Sequence, residues 1–129
     1  MSGRPLANIL VIDNDEGMQR ALRTRLESLG YACLTASNGT QGLSTFDPKS
    51  VDLVITDLNM PAMNGLGVIE QVRRRSDVPV IVITGFPGEY AGAMMKHRDV
   101  TVLAKPFDSH TLIDLVTAEL AMHSDRMAG

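Results

Sequence analysis

The stretch Val51-Asp52-Leu53-Val54-Ile55-Thr56-Asp57-Leu58-Asn59-Met60-Pro61 decides how this chain reads. Leu53, Val54 and Ile55 form a near-continuous apolar run, which suits a central parallel strand covered on both faces rather than a strand with one wet side. The run ends on an acid, Asp57, and Pro61 and Gly65 then punctuate a loop before the next helical pattern. A carboxylate in that position stands at the carboxyl end of a strand, the edge where open α/β sheets place their sites. Taken alone, Asp57 reads equally well as a residue that only caps the loop. The segments around it change that balance.

Upstream, Asn8 to Ile12 is a second buried-strand run, and it ends at Asp13-Asn14-Asp15-Glu16. Met18, Leu22, Leu26 and Leu29 then share one helical face until Gly30 stops the helix. Tyr31 to Ala36 reads as a strand, Asn38-Gly39 as a turn, and Thr40 to Phe46 as a short helix closed by Asp47-Pro48. Downstream, a helix from Gly65 to Arg75 buries Leu66, Ile69 and Val72, and Pro79 to Thr84 is another wholly apolar strand. Val100 to Ala104 is the last strand, running into Lys105-Pro106-Phe107. Asp108 or Ser109 caps a final helix with Leu112, Ile113, Val116 and Leu120 turned inward, and the tail from His123 is expected to fray. Strands and helices alternate five times, which predicts a parallel, doubly wound α/β sheet with right-handed crossovers. The fourth helix is the weak one. Gly85, Phe86, Pro87, Gly88 and Gly92 crowd its start, and each glycine inside a helix costs about 1 kcal/mol relative to alanine.

The 129 residues are enough for one domain with a proper core, and 44% hydrophobic with 21% charged residues is ordinary for a globular chain. No apolar run is long enough to span a bilayer, and Met1-Ser2-Gly3-Arg4-Pro5 lacks a signal-peptide core, so the cytoplasm is the expected compartment and no membrane partner is expected. The single cysteine, Cys33, excludes an internal disulfide and a cysteine-based zinc site, and its apolar strand context predicts burial. A net charge of −3 argues against direct nucleic-acid binding. His97, His110 and His123 have no metal-ligand spacing and are expected to face solvent. His97-Arg98-Asp99 imitates a protein-kinase tripeptide without the glycine-rich loop that should accompany it. The Arg73-Arg74-Arg75 run is expected to solvate the end of its helix.

Four strands finish on a polar functional residue: Asp13, Asp57, Thr84 and Lys105. In a parallel sheet those ends share one edge, so the side chains can converge. Two carboxylates flanked by Asn14 and Asp15 make an oxygen-rich pocket suited to a hard cation such as Mg²⁺. A lysine ammonium and a threonine hydroxyl beside it suit phosphate oxygens. Together they point to phosphoryl transfer, in which positioning and charge neutralisation do most of the catalysis.

At this point the sequence resembles the receiver domain of two-component response regulators, from Ile9 to about Leu120. The resemblance rests on Asp13 and Asn14 after the first strand, Asp57-Leu58-Asn59-Met60-Pro61 with Met63 and Gly65 following, Thr84 after the fourth strand, and Lys105-Pro106-Phe107 after the fifth. It implies a flavodoxin-like five-stranded sheet in the order 2-1-3-4-5, in one domain with its core over about residues 8–121 and flexible ends at 1–7 and 123–129. It implies that Asp57 takes a phosphoryl group from a phosphohistidine on a sensor histidine kinase or a histidine phosphotransfer protein. Mg²⁺ (or Mn²⁺) would be held by Asp13, Asn14 and Asp57 with the Asn59 main-chain carbonyl. Lys105 would pair with the phosphoryl group, Thr84 would hydrogen-bond it, and the Lys105-Pro106 peptide would be cis. Such a module is a switch, catalysing only its own phosphorylation and dephosphorylation. Its signal would pass to an output domain or downstream protein through the face formed by the fourth helix, fifth strand and fifth helix.

Two positions depart from the family pattern. The second acid after the first strand is Asn14, which keeps one coordinating oxygen and removes one charge. Three residues before Lys105, where most receivers carry Tyr or Phe, stands Val102, too small to act as an inward-turning ring. Phe86 and the glycine-rich segment up to Met95 are then expected to carry the change. Two rival readings remain open: a haloacid-dehalogenase-type phosphatase with Asp13 as nucleophile and Asp15 as acid, and a degenerate receiver that binds partners without being phosphorylated.

Overall fold

A computed structural model describes residues 4–128, with side chains through Ser124; Met1, Ser2, Gly3 and Gly129 lie outside the described residues. The elements run β1 (Asn8–Ile12), α1 (Glu16–Ser28), β2 (Ala32–Ala36), α2 (Gly39–Thr45), β3 (Leu53–Asp57), α3 (Gly65–Arg75), β4 (Val80–Thr84), α4 (Ala91–Met94), β5 (Val100–Ala104) and α5 (Ser109–Ala128). The five strands pair in parallel in the order β2-β1-β3-β4-β5, as the alternating pattern predicts. Registers such as Ile9 opposite Leu53 and Ile55 opposite Ile81 align the carboxyl ends of β1, β3 and β4.

Because side chains alternate across a strand, each apolar run feeds two cores at once. Ile9, Val11, Leu53, Ile55, Ile81 and Ile83 pack with Leu22 and Leu26 of α1 and with Leu112 and Val116 of α5. Leu10, Ile12, Val54, Val80 and Val82 pack on the other face with Val68, Ile69 and Val72 of α3. All five residues of β3 and of β4 are buried. Cys33 lies in the first of these cores, and burial pushes its thiol up to about 11, consistent with packing rather than reactivity.

Asp15, Asn38 and Asn64 cap α1, α2 and α3 by accepting backbone N–H bonds, and the Asp108 carboxylate accepts from His110 N at 2.8 Å before α5. Two glycines are required by close approach. A β-carbon on Gly42 would stand 2.4 Å from Ile12 Cδ1, so α2 rests directly on β1 there. One on Gly65 would meet the Leu58 backbone at 2.8 Å and the Asp57 carbonyl at 2.9 Å, so α3 starts hard against the end of β3.

Four features differ from the sequence reading. The buried face of α1 is Gln19, Leu22 and Leu26, with Met18 half-buried and Leu29 exposed. Residues 19, 22 and 26 form a helical face as regular as the one chosen on hydrophobicity, and Gln19 occupies it because its amide is satisfied, as described below. Residues 6 and 7, assigned above to a flexible end, are tied in: Leu6 N donates to Gly30 O and Ala7 is buried. The last helix does not end before His123 but runs on to Ala128. Finally, Arg73 is not a solvated helix end. Its guanidinium donates to the carbonyls of Ser76 at 3.0 Å and Val78 at 2.8 Å, binding the end of α3 to the entry of β4.

The segment expected to be weakest is short. α4 is a four-residue turn, entered through Tyr90 at φ 59°, and only its Met94 is buried. A β-carbon on Gly85, Gly88 or Gly92 would meet nothing within 4 Å. Packing therefore does not require these glycines, and their effect is on backbone freedom. Phe86 (65% exposed), Tyr90 and Met95 (84% exposed) face outward around this turn.

Candidate functional site

The carboxyl edge of the sheet brings the polar residues together. Asp13 follows β1 directly, and its carboxylate Oδ1 accepts the Asp15 N–H at 2.8 Å. Behind it, the Gln19 amide donates to the Asp13 carbonyl at 2.6 Å and to Ser37 Oγ at 3.2 Å, fastening the ends of β1 and β2 under the acid. Asp57 ends β3, and its Oδ1 accepts the Asn59 N–H at 3.3 Å and the Lys105 ammonium at 3.4 Å. Lys105 reaches it from the end of β5, whose backbone is held by Lys105 N donating to Thr84 O at 2.7 Å. The Lys105-Pro106 peptide is cis.

Asp13 and Asp57 are 3% and 4% exposed. Burial first, and then the Asp57 charge, raise the Asp13 pKa above its ordinary value, while Lys105 and the Asp15 N–H pull it down. Two buried carboxylates close enough to repel, with one ammonium, leave a net negative charge that a divalent cation would neutralise. Among the described residues, every hydrogen bond the two carboxylates accept falls on Oδ1, so each keeps Oδ2 for such an ion. The donor set is all oxygen, which fits Mg²⁺ or Mn²⁺ rather than a soft metal. No group of three or more His, Cys, Asp or Glu side chains gathers as a metal site among the described residues. Asn14, expected from the sequence to join this set, is exposed and opens onto a hollow lined by Ser37, Asn38, Pro61 and Met63. Asn14→Asp is expected to tighten Mg²⁺ binding, since ligand charge controls affinity for hard cations. Unchanged affinity in a calorimetric titration would place residue 14 outside the metal shell.

Thr84 is fully buried at the end of β4, yet its hydroxyl does not address Asp57. It donates to Asn59 Oδ1 at 2.9 Å and accepts the Phe86 N–H at 2.9 Å. The Asn59 amide nitrogen in turn donates to Glu89 Oε1 at 2.8 Å. Glu89 and Gln19 are the site residues that sequence reasoning missed. Gln19 had a signal, its place in the 19-22-26 face. Glu89 had none, because it arrives through an irregular loop. Val102 is 37% exposed on β5, outside both cores. Asp15 uses its Oδ1 to accept the Gly17 and Met18 N–H groups as the cap of α1. His97-Arg98-Asp99 lies in the turn into β5, where Arg98 pairs with the exposed Asp77 at 2.6 Å.

The sequence matches the response regulator receiver domain family over residues 9–117. It is 34% identical over 118 residues to the transcriptional regulatory protein GlrR of Escherichia coli K12, covering 90% of this chain and 26% of that one. It is 40% identical over 77 residues to the probable transcriptional regulator ycf27 of Cyanidium caldarium, covering 60% of this chain and 31% of that one. The chain thus spans under a third of the length of these curated relatives. Among solved structures, a response regulator receiver domain protein from Clostridium thermocellum superposes with a TM-score of 0.85 at 30% identity, covering 92% of this chain and 98% of that one. The response regulator protein TrrA from Thermotoga maritima, solved in complex with Mg²⁺-BeF, superposes with a TM-score of 0.69 at 29% identity, covering 85% of this chain and 99% of that one. Relatives that are transcriptional regulators lend no support to the expectation that nucleic acid is absent from the partners.

Proposed function

Because the chain belongs to the response regulator receiver domain family, we propose that it is a phosphorylation switch that takes a phosphoryl group onto Asp57 from a phosphohistidine. The donor is a sensor histidine kinase or a histidine phosphotransfer protein, and the setting is the cytoplasm. The observation that carries this reading is the Asp57 carboxylate at the end of β3, nearly buried, with Lys105 Nζ at 3.4 Å and the buried Asp13 beside it. In the transfer, an Asp57 oxygen forms the new O–P bond as the P–N bond breaks, and the electron pair leaves with the imidazole nitrogen. The protein has little covalent work to do, so orientation and charge neutralisation dominate. Lys105 already stands on the acceptor oxygen and would follow the charge onto the phosphoryl group. Asp13, Asn14 and Asp57 with the Asn59 main-chain carbonyl would hold Mg²⁺ (or Mn²⁺), which would supply positive charge to offset the anionic groups brought together in the transfer. Water later hydrolyses the acyl phosphate and resets the switch, so the chemistry stays on the protein's own aspartate and no other substrate is turned over. The apolar side chains left outside the core around α4 and on β5 support the α4-β5-α5 face as the surface read by an output domain or downstream protein.

Incubation with acetyl phosphate and Mg²⁺, followed by intact mass measurement and peptide mapping, tests this. One phosphoryl group on Asp57, lost when Mg²⁺ is chelated, is the expected result. Label on Asp13 would indicate the phosphatase chemistry instead, and an unlabelled protein would be a receiver that binds without being phosphorylated.

A further inference from the structure

Thr84, Asn59 and Glu89 form a hydrogen-bond chain whose direction is not arbitrary. A carboxylate only accepts. Glu89 therefore requires the NH₂ end of the Asn59 amide, which meets Glu89 Oε1 at 2.8 Å. That turns Asn59 Oδ1 toward Thr84, whose hydroxyl oxygen already accepts the Phe86 N–H at 2.9 Å. The Thr84 proton has one place left to go, and it is committed to Asn59. The hydroxyl is fully buried, so bulk water offers no alternative partner.

We propose that Glu89 is a positioning residue: by fixing the direction of this chain it withholds the Thr84 proton from Asp57 and biases the unmodified protein against accepting a phosphoryl group. The inference rests on Asp57 being the acceptor. A phosphoryl group there adds three acceptor oxygens that favour any donor within reach, and the Thr84 hydroxyl, at the end of the neighbouring strand, can answer only by breaking its bond to Asn59. Glu89 also ties the β4-α4 loop to the β3-α3 loop across the mouth of the site. Breaking the chain at Thr84 thus removes one of the contacts that hold this loop, in a segment whose glycines are free of packing constraints.

Two substitutions separate direction from tethering. Glu89→Gln keeps a side chain that can meet Asn59, but glutamine can donate. The Asn59 amide can then turn over, present its NH₂ to the Thr84 oxygen and leave the Thr84 proton unassigned. Glu89→Ala removes the tether as well. In metal-free protein, Glu89→Gln is expected to shift the Asn59 side-chain amide resonances while the Phe86 amide stays protected from exchange. With Mg²⁺ and fluoroberyllate, a phosphoryl mimic, Glu89→Gln is expected to bind the mimic roughly three- to tenfold more tightly, the equivalent of one net hydrogen bond. In a Thr84→Ala background that gain should vanish, because no proton remains to release. Equal affinity of Glu89→Gln and native protein, a gain confined to Glu89→Ala, or a gain that survives in Thr84→Ala would each overturn the proposal. Failure of the native protein to bind fluoroberyllate at all would instead strike the assignment of Asp57.

Discussion

Replacing Asp57 by asparagine is expected to leave the protein folded and to bring phosphoryl uptake from acetyl phosphate down to background. Asparagine has nearly the same shape, and its Oδ1 can still accept the Asn59 N–H and the Lys105 ammonium that now meet the carboxylate at 3.3 Å and 3.4 Å. What it lacks is the anionic oxygen that would form the O–P bond in the proposed transfer. The ion pair it weakens is a small loss, because the Lys105 side chain is 37% exposed and solvent screens the interaction. The substitution also removes one of two buried negative charges, the one whose repulsion helps raise the Asp13 pKa. Thermal unfolding should therefore show a midpoint at or above that of the native protein while intact mass shows no adduct. Equal labelling of native and Asp57→Asn protein would move the acceptor elsewhere and end the assignment.

Asp13→Asn should separate stability from function even more sharply. Burial and the neighbouring Asp57 charge raise the Asp13 pKa above 3.8 in the fold. The folded chain thus holds this proton to higher pH than the unfolded chain does. Stability must then fall as pH rises from the unfolded value through the folded one, and above that window the full penalty of an ionised Asp13 is present. Asparagine keeps an oxygen for the Asp15 N–H and removes the charge. At neutral pH without metal, Asp13→Asn is expected to be more stable by about 0.5–2 kcal/mol, the usual gain when a strained functional residue is relieved. The same change should abolish the rise in unfolding temperature expected of the native protein with Mg²⁺, and should cut phosphorylation by at least about tenfold, a loss of roughly 1.4 kcal/mol of transition-state stabilisation. A destabilised Asp13→Asn protein that still responded to Mg²⁺ would contradict both halves of the argument.

The fold was legible because its signals were local and redundant. The apolar runs of two fully buried strands, β3 and β4, leave no reading except a sheet covered on both sides, and the acids and lysine at the strand ends mark one edge. The parts that were not legible depend on contacts between segments distant in sequence. Gln19 is polar, so hydrophobic periodicity passed over it, yet it is buried because the carbonyls of Asp13, just after β1, and Ala36, at the end of β2, converge on its amide. Arg73 belongs to a basic run that reads as solvent-facing, and only the fold shows carbonyls waiting for its guanidinium. The extension of α5 to Ala128 was missed because the polar residues from His123 onward were read as tail. Glu89 is the most consequential case: a charged residue in a glycine-rich loop has no period to betray it, and its role exists only once β3 and β4 lie side by side.

The order of the strands also governs how the site comes into being during synthesis. β4 pairs with β3 on one side and with β5 on the other, and all five of its residues are buried in the finished sheet. Until β5 emerges from the ribosome, the Val80-Ile81-Val82-Ile83 run has one unpaired flank, an open apolar edge of the kind that recruits foreign strands. Lys105 comes with the strand that closes that edge. The nascent chain therefore cannot hold Asp57 and Lys105 together before it has also covered this apolar edge, so the ion pair and the closed edge arrive in the same step.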